Sequence, residues 1–350
     1  MKALVGTAAC LFACVVSMWA QRSDLESKIR QARELVVAGR FEEAIPLYKS
    51  LDRLLPGNPS VLINLGYALH MSGREQEAAE KFETALKSDP GNVEAHFYLG
   101  ATCLSLGESS KAIDHLKQVL GSKPEHPEAR ALLGEALLSK GSFEPAADQF
   151  GWISQHDPKN PKAWSGLGRS YEGLAQKNLE ALGKIAPMSP YALALVAEAR
   201  YNQGQYEQAF FFYREALRLM PSLRGAHAAL AEVYKKTGHL EWSAVEEQKE
   251  RELPGLNCIG LEEPLSSAQH AAGAPEQSAE SANSAKALEC HFWAGRYRDL
   301  VNKQNNLQTV EGFFWRARAY GELASAANSH LSELPPSADG YAYIARTLYN

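Results

Sequence analysis

The chain is poor in the features that mark most enzymes and most nucleic-acid binders. Its 350 residues contain no glycine-rich loop of the P-loop or dinucleotide type and no Gly-x-Ser-x-Gly elbow. Ten histidines are scattered without metal-ligand spacing. Cys290-His291 lacks a cysteine three residues earlier, which excludes covalent haem attachment. There is no basic excess: 36 Lys and Arg stand against 41 Asp and Glu, a formal net charge of −5. A phosphate-binding surface needs the opposite balance, so nucleic acid is not an expected partner. The carboxylates follow helical periods and read as solvated faces rather than acid–base pairs. No catalytic residue, cofactor or metal follows from the sequence, and the expectation is a protein that is not an enzyme.

What is present is a period. Leu65-Gly66 is followed by Gly73, Ala78, Phe82, Ala85 and Pro90. One step of 34 residues on, Leu99-Gly100, Gly107, Ala112, Leu116 and Pro124 occupy the same places. A further step gives Leu133-Gly134, Gly141, Ala146, Phe150 and Pro158; the next gives Trp164, Leu167-Gly168 and Tyr171. Leu62, Leu65 and Leu69 share one face of a first helix, and Ala78, Phe82 and Ala85 share one face of a second. Gly73 suits a left-handed cap between them. Pro90 ends the second helix. Gly66 costs about 1 kcal/mol relative to alanine inside a helix, so its recurrence implies close approach of the paired helix. His96 and His227 fall at one repeat position and read as packing or turn-facing residues.

The motif Trp164-x2-Leu167-Gly168-x2-Tyr171, with Ala78-x3-Phe82 and Ala146-x3-Phe150, resembles the tetratricopeptide repeat family. The resemblance implies an all-α fold: an α-solenoid of helix-turn-helix repeats wound as a right-handed superhelix. It also implies a protein or peptide partner held in a concave groove made by the first helices. Carried onto this chain, the groove presents Ile63, Tyr67, His70 and Phe97, then Glu135, Arg169, Glu172, Glu198, Tyr201, Glu232 and Lys235. The family's basic clamp for a C-terminal carboxylate is not matched, because Ile29 and Arg33 stand where Lys and Asn belong.

Four segments are expected in chain order. Residues 1–20, with Lys2 before an apolar run from Ala3 to Val16, read as a secretory signal cut after Ala20. An uncleaved anchor, or lipidation at Cys14, are the other readings, and the membrane enters only through this segment. Residues 21–257 form an array of about seven repeats, the fifth shortened between Lys177 and Pro190. Residues 258–286, rich in Ala, Ser, Gln and Glu, read as a linker. Residues 287–350 read as a second, incomplete array. The short repeat recurs: Leu174-Ala175 with Pro187 corresponds to Leu323-Ala324 with Pro336, 149 residues on. Because this copy stops at Asn350, halfway through a repeat, a continuation is expected. Cys258 and Cys290 bracket the linker and can pair in an oxidising compartment, or remain two free thiols. The expected function is an exported, periplasmic or secreted, protein-binding scaffold. The alternatives are a recruiting part of a larger enzyme with its catalytic domain beyond residue 350, or a lipid-anchored assembly factor.

Overall fold

The computed structural model describes residues 24–259, 277–302, 307–339, 341, 342 and 345. The segment read as a signal, residues 260–276 of the segment read as a linker, and the chain end at 346–350 lie outside these. Among the described residues the chain is helical throughout, and no helix is long and apolar enough to cross a membrane. The helices fall into two compact units, Met1–Pro158 and Lys159–Asn350.

The first unit is a regular stack: α1 (24–37), α2 (Phe41–Leu54), α3 (Pro59–Met71), α4 (Glu75–Ser88), α5 (Val93–Ser105), α6 (Ser109–Ser122), α7 (Pro127–Ser139) and α8 (Phe143–His156). Local chemistry sets the boundaries. Asn58 and Asn92 cap α3 and α5 by accepting the Val61 and Ala95 N–H groups at 3.2 and 3.0 Å. Gly73 takes φ +73°, its N–H bonds the His70 carbonyl, and the Arg74 N–H bonds the Leu69 carbonyl. That double bond closes α3 as a Schellman turn. Leu62, Leu65 and Leu69 of α3 and Ala78, Phe82 and Ala85 of α4 are buried. A Cβ added to Gly66 would meet the Phe82 ring at 2.7 Å, and one added to Gly134 would meet Phe150 at 2.6 Å. The mid-helix glycine therefore sets how closely the paired helices approach.

A latch recurs at one position of the first helix. His96 Nε2 donates to the Pro90 carbonyl at 3.0 Å, and its Nδ1 accepts the Nδ1–H of His115 at 3.0 Å. Burial, then His96, pushes the His115 imidazole below its ordinary range, which suits a neutral pair. Arg130 does the same one repeat on, donating to the Pro124 carbonyl and to Gln149. His227 bonds the Pro221 carbonyl at 3.0 Å and the Glu246 carboxylate at 2.6 Å. These side chains tie the inter-repeat turn to the neighbouring second helix.

The second unit contains α9 (Pro161–Ile185), α10 (Pro190–Asn202), α11 (Tyr206–Leu219), α12 (Ala226–Lys236), α13 (Leu240–Glu252), α14 (Gln277–Trp293), α15 (Tyr297–Leu300) and α16 (Val310–Glu333). Helices α10 with α11 and α12 with α13 repeat the local pairing. The polar face of α13 has a structural use: Glu250 caps α12 by accepting the Gly225 and Ala228 N–H groups at 2.8 and 3.2 Å.

Three features differ from the sequence reading. The fifth repeat has no shortened second helix. Where the period places the turn glycine (Gly73, Gly107, Gly141), the chain has Ala175, so α9 runs unbroken for 25 residues to Ile185. Helix α14 begins at Gln277, inside the stretch read as a linker. Helices α14 to α16 do not stand as a separate array: Leu288, Phe292, Phe314 and Trp315 share one core with Leu182, Leu193, Tyr213 and Leu230.

The helix that completes the fifth pair is α16, and this is the most extensive helix–helix contact among the described residues. The two run antiparallel: Trp164 stacks on His330 at 4.4 Å, Asn328 Nδ2 donates to Glu172 at 3.1 Å, and Arg316 Nε donates to Asn178 at 3.0 Å. A Cβ on Gly168 would strike Asn328, as one on Gly134 would strike Phe150. The two copies of the duplicated segment are thus each other's packing partners. Tyr171 and its counterpart Tyr320 stack with ring centroids 6.1 Å apart.

Candidate functional site

The candidate positions separate into two groups, one in each unit. In the first unit Tyr67, His70, Phe97 and Glu135 are half-buried on successive first helices. The aromatics form a ladder across the repeats. Tyr67 meets Phe41 edge-on at 5.9 Å and Tyr98 at 5.0 Å; Phe97 meets Tyr98 at 5.4 Å and stacks on His126 at 5.0 Å. His70 Nδ1 lies 2.6 Å from a Glu75 carboxylate oxygen. Ile63 does not belong with them: it is 4% exposed, flanked by Leu62 and Leu65, and part of the packed core.

In the second unit two positions, Glu172 and Glu198, meet α16. Glu172 accepts a hydrogen bond from Asn328, and Glu198 lies 3.9 Å from Arg318 Nε. Glu232 and Lys235 join Glu247 in a surface network with Lys235 Nζ 2.7 Å from both carboxylates. Hydrogen bonds donated to Glu232, then to Glu247, push the Lys235 ammonium above its ordinary range. Tyr201 packs edge-on against Tyr206 at 5.5 Å. Arg169 lies half-buried on α9. Glu198, Tyr201 and Glu232 line one cavity, together with Tyr213, Phe314 and Arg318.

Reading the first helices alone missed the last three residues. The duplication carried a signal for one of them, because Arg318 stands 149 residues after Arg169, as Tyr320 does after Tyr171. Cys258 and Cys290 are joined by a disulfide that ties the segment after α13 to α14. Among the described residues no group of three or more His, Cys, Asp or Glu is placed to hold a metal ion.

Stacked helix pairs with half-buried aromatics on the first helices define an all-α repeat protein. Tetratricopeptide repeat models match residues 29–93, 76–127, 107–169 and 190–222, and the chain belongs to the tetratricopeptide repeat family. Proteins of this family bind proteins or peptides and are in general non-catalytic scaffolds. Among solved structures, a tetratricopeptide repeat protein from Parabacteroides merdae ATCC 43184 is 15% identical, with 93% of this chain and 99% of that chain covered and a TM-score of 0.39. MamA (residues 41 to the end) from Desulfovibrio magneticus RS-1 is 18% identical, with 65% and 94% covered and a TM-score of 0.32. No curated protein matches the chain.

Proposed function

We propose that the chain is an exported, non-catalytic scaffold that holds a polypeptide on the first-helix face of its N-terminal unit. The observation that carries this reading is the aromatic ladder of Tyr67, Tyr98 and Phe97, half-buried and spanning successive repeats. The equivalent acidic positions in the second unit, Glu172 and Glu198, already face α16. Large rigid aromatics anchor interfaces, and losing one anchor commonly costs more than about 1 kcal/mol. Glu135 suits a role in partner choice and association rate rather than in affinity. Export is supported by the apolar segment that follows Lys2.

The test is capture of a partner from the exported fraction by the whole protein. Tyr67→Ala and Phe97→Ala should each weaken capture about tenfold while helicity is kept. Glu83→Lys, on a second helix, should leave it unchanged. Capture that survives both aromatic changes, or a mature protein that retains residues 1–20 in the cytoplasm, contradicts the reading.

A further inference from the structure

The cavity of about 220 Å³ in the second unit is lined by side chains of both charges and by apolar side chains. Its charged lining is Glu198, Glu232, Arg224 and Arg318, and its apolar lining includes Leu223 and Phe314. Arg318 is packed among aromatic rings. Its guanidinium lies 4.4 Å from the Phe292 ring centroid and within 5.8 Å of those of Trp293, Phe314 and Trp315. At 3.9 Å, Glu198 and Arg318 are too far apart to share a hydrogen bond, so the carboxylate and the guanidinium both keep bonding capacity toward the cavity.

Tyr213 is 5% exposed and lines this cavity. A phenolic hydroxyl both donates and accepts, so it can bond a ligand held in the cavity. The Glu198 side chain is 45% exposed, so its carboxylate can be reached from solvent. Protein packed around Glu198 pushes its carboxyl up, with Arg318 opposing, and a bound ammonium would reverse that push.

We infer that this cavity binds a free α-amino acid with an apolar side chain. Its ammonium sits on Glu198, its carboxylate takes the Arg318 guanidinium and the Tyr213 hydroxyl, and its side chain lies against Ala194, Leu223 and Phe314. A cavity of 220 Å³ is below the usual range for drug-sized ligands and matches a molecule of this size. The site is independent of the polypeptide surface on the first unit.

The probe is L-leucine, titrated calorimetrically into the full chain, with N-acetyl-L-leucine and L-leucinamide as ligands that each lack one charge. Leucine should bind and raise the melting temperature of the second unit, and each blocked derivative should bind at least about tenfold more weakly. Tyr213→Phe and Glu198→Gln should each weaken leucine binding about tenfold with the ligand-free melting curve kept. Tyr213→Phe removes only a hydroxyl, so it tests the site without opening the core. No heat and no thermal shift at about 10 mM leucine overturns the inference, as does equal binding of the blocked derivatives or full binding by both variants.

Discussion

The two units use the same helix pair in opposite ways. In the first, every first helix is completed by the helix that follows it after a glycine turn, as α3 is by α4 and α7 by α8. In the second, α9 has no such neighbour and is completed by α16, with Asn178 bonded to Arg316 across 138 residues of chain. The first unit is therefore a nearest-neighbour stack, in which each repeat answers to the ones beside it. The second is closed by a long-range contact, so α9, α10, α14 and α16 must be in place together. One missing glycine, at Ala175, separates the two designs.

The largest effect should come from opening a core in each unit. Phe314 is 2% exposed and packs against Tyr191 at 4.8 Å; Phe150 is 0% exposed and fills the space over Gly134. Phe314→Ala and Phe150→Ala should each cost about 3–5 kcal/mol. Their reach should differ. Hydrogen exchange should show Phe314→Ala loosening α9, α10 and α16 together, and Phe150→Ala loosening α7 and α8 with little change beyond Pro158. Matching local patterns in both units would erase the distinction.

Reduction should separate the units next. The Cys258–Cys290 bond closes a loop with a sequence separation of 32 residues in the second unit. Its loss should cost about 3–4 kcal/mol in the chain-entropy picture. The one free cysteine among the described residues, Cys103, is buried in the first unit, and burial pushes its thiol up to about 11. Such a thiol exchanges slowly. Dithiothreitol should therefore lower the unfolding midpoint of the second unit alone, as Cys258→Ser with Cys290→Ser should; a shift in the first unit would count against this account.

Much of the first unit was legible because its information is local. The caps Asn58 and Asn92, the turn glycines and the Ala-x3-Phe faces all act within one period, and the helices fall where those residues place them. The partner of α9 was not legible in that way, because no spacing within a repeat specifies a contact with Asn328. The 149-residue duplication was the available signal, and read as a second array it pointed to a separate domain. The alanine at position 175 was the local half of the answer, since a first helix that meets no glycine has no turn and continues. At the candidate site, the first-helix pattern picked out Tyr67 and Phe97, which are half-buried, together with Ile63, which is buried. An apolar branched residue between two buried leucines carries no mark that separates groove from core.

The smallest expected effect addresses the pairing of α9 with α16 most directly. Gly168→Ala places a methyl group against the Asn328 side chain and should destabilise the second unit by about 1–3 kcal/mol. In an Asn328→Ala background the clash is gone. The same substitution should then be neutral, or stabilising by up to about 1 kcal/mol, because alanine is the better helix former. Urea unfolding of the four proteins in this cycle gives the coupling between two residues in the two copies of the duplicated segment. A coupling of at least about 1 kcal/mol, with Gly168→Ala rescued by Asn328→Ala, is the result expected for direct contact. Additive losses, with Gly168→Ala equally harmful in both backgrounds, would mean that α16 is not the helix that completes α9.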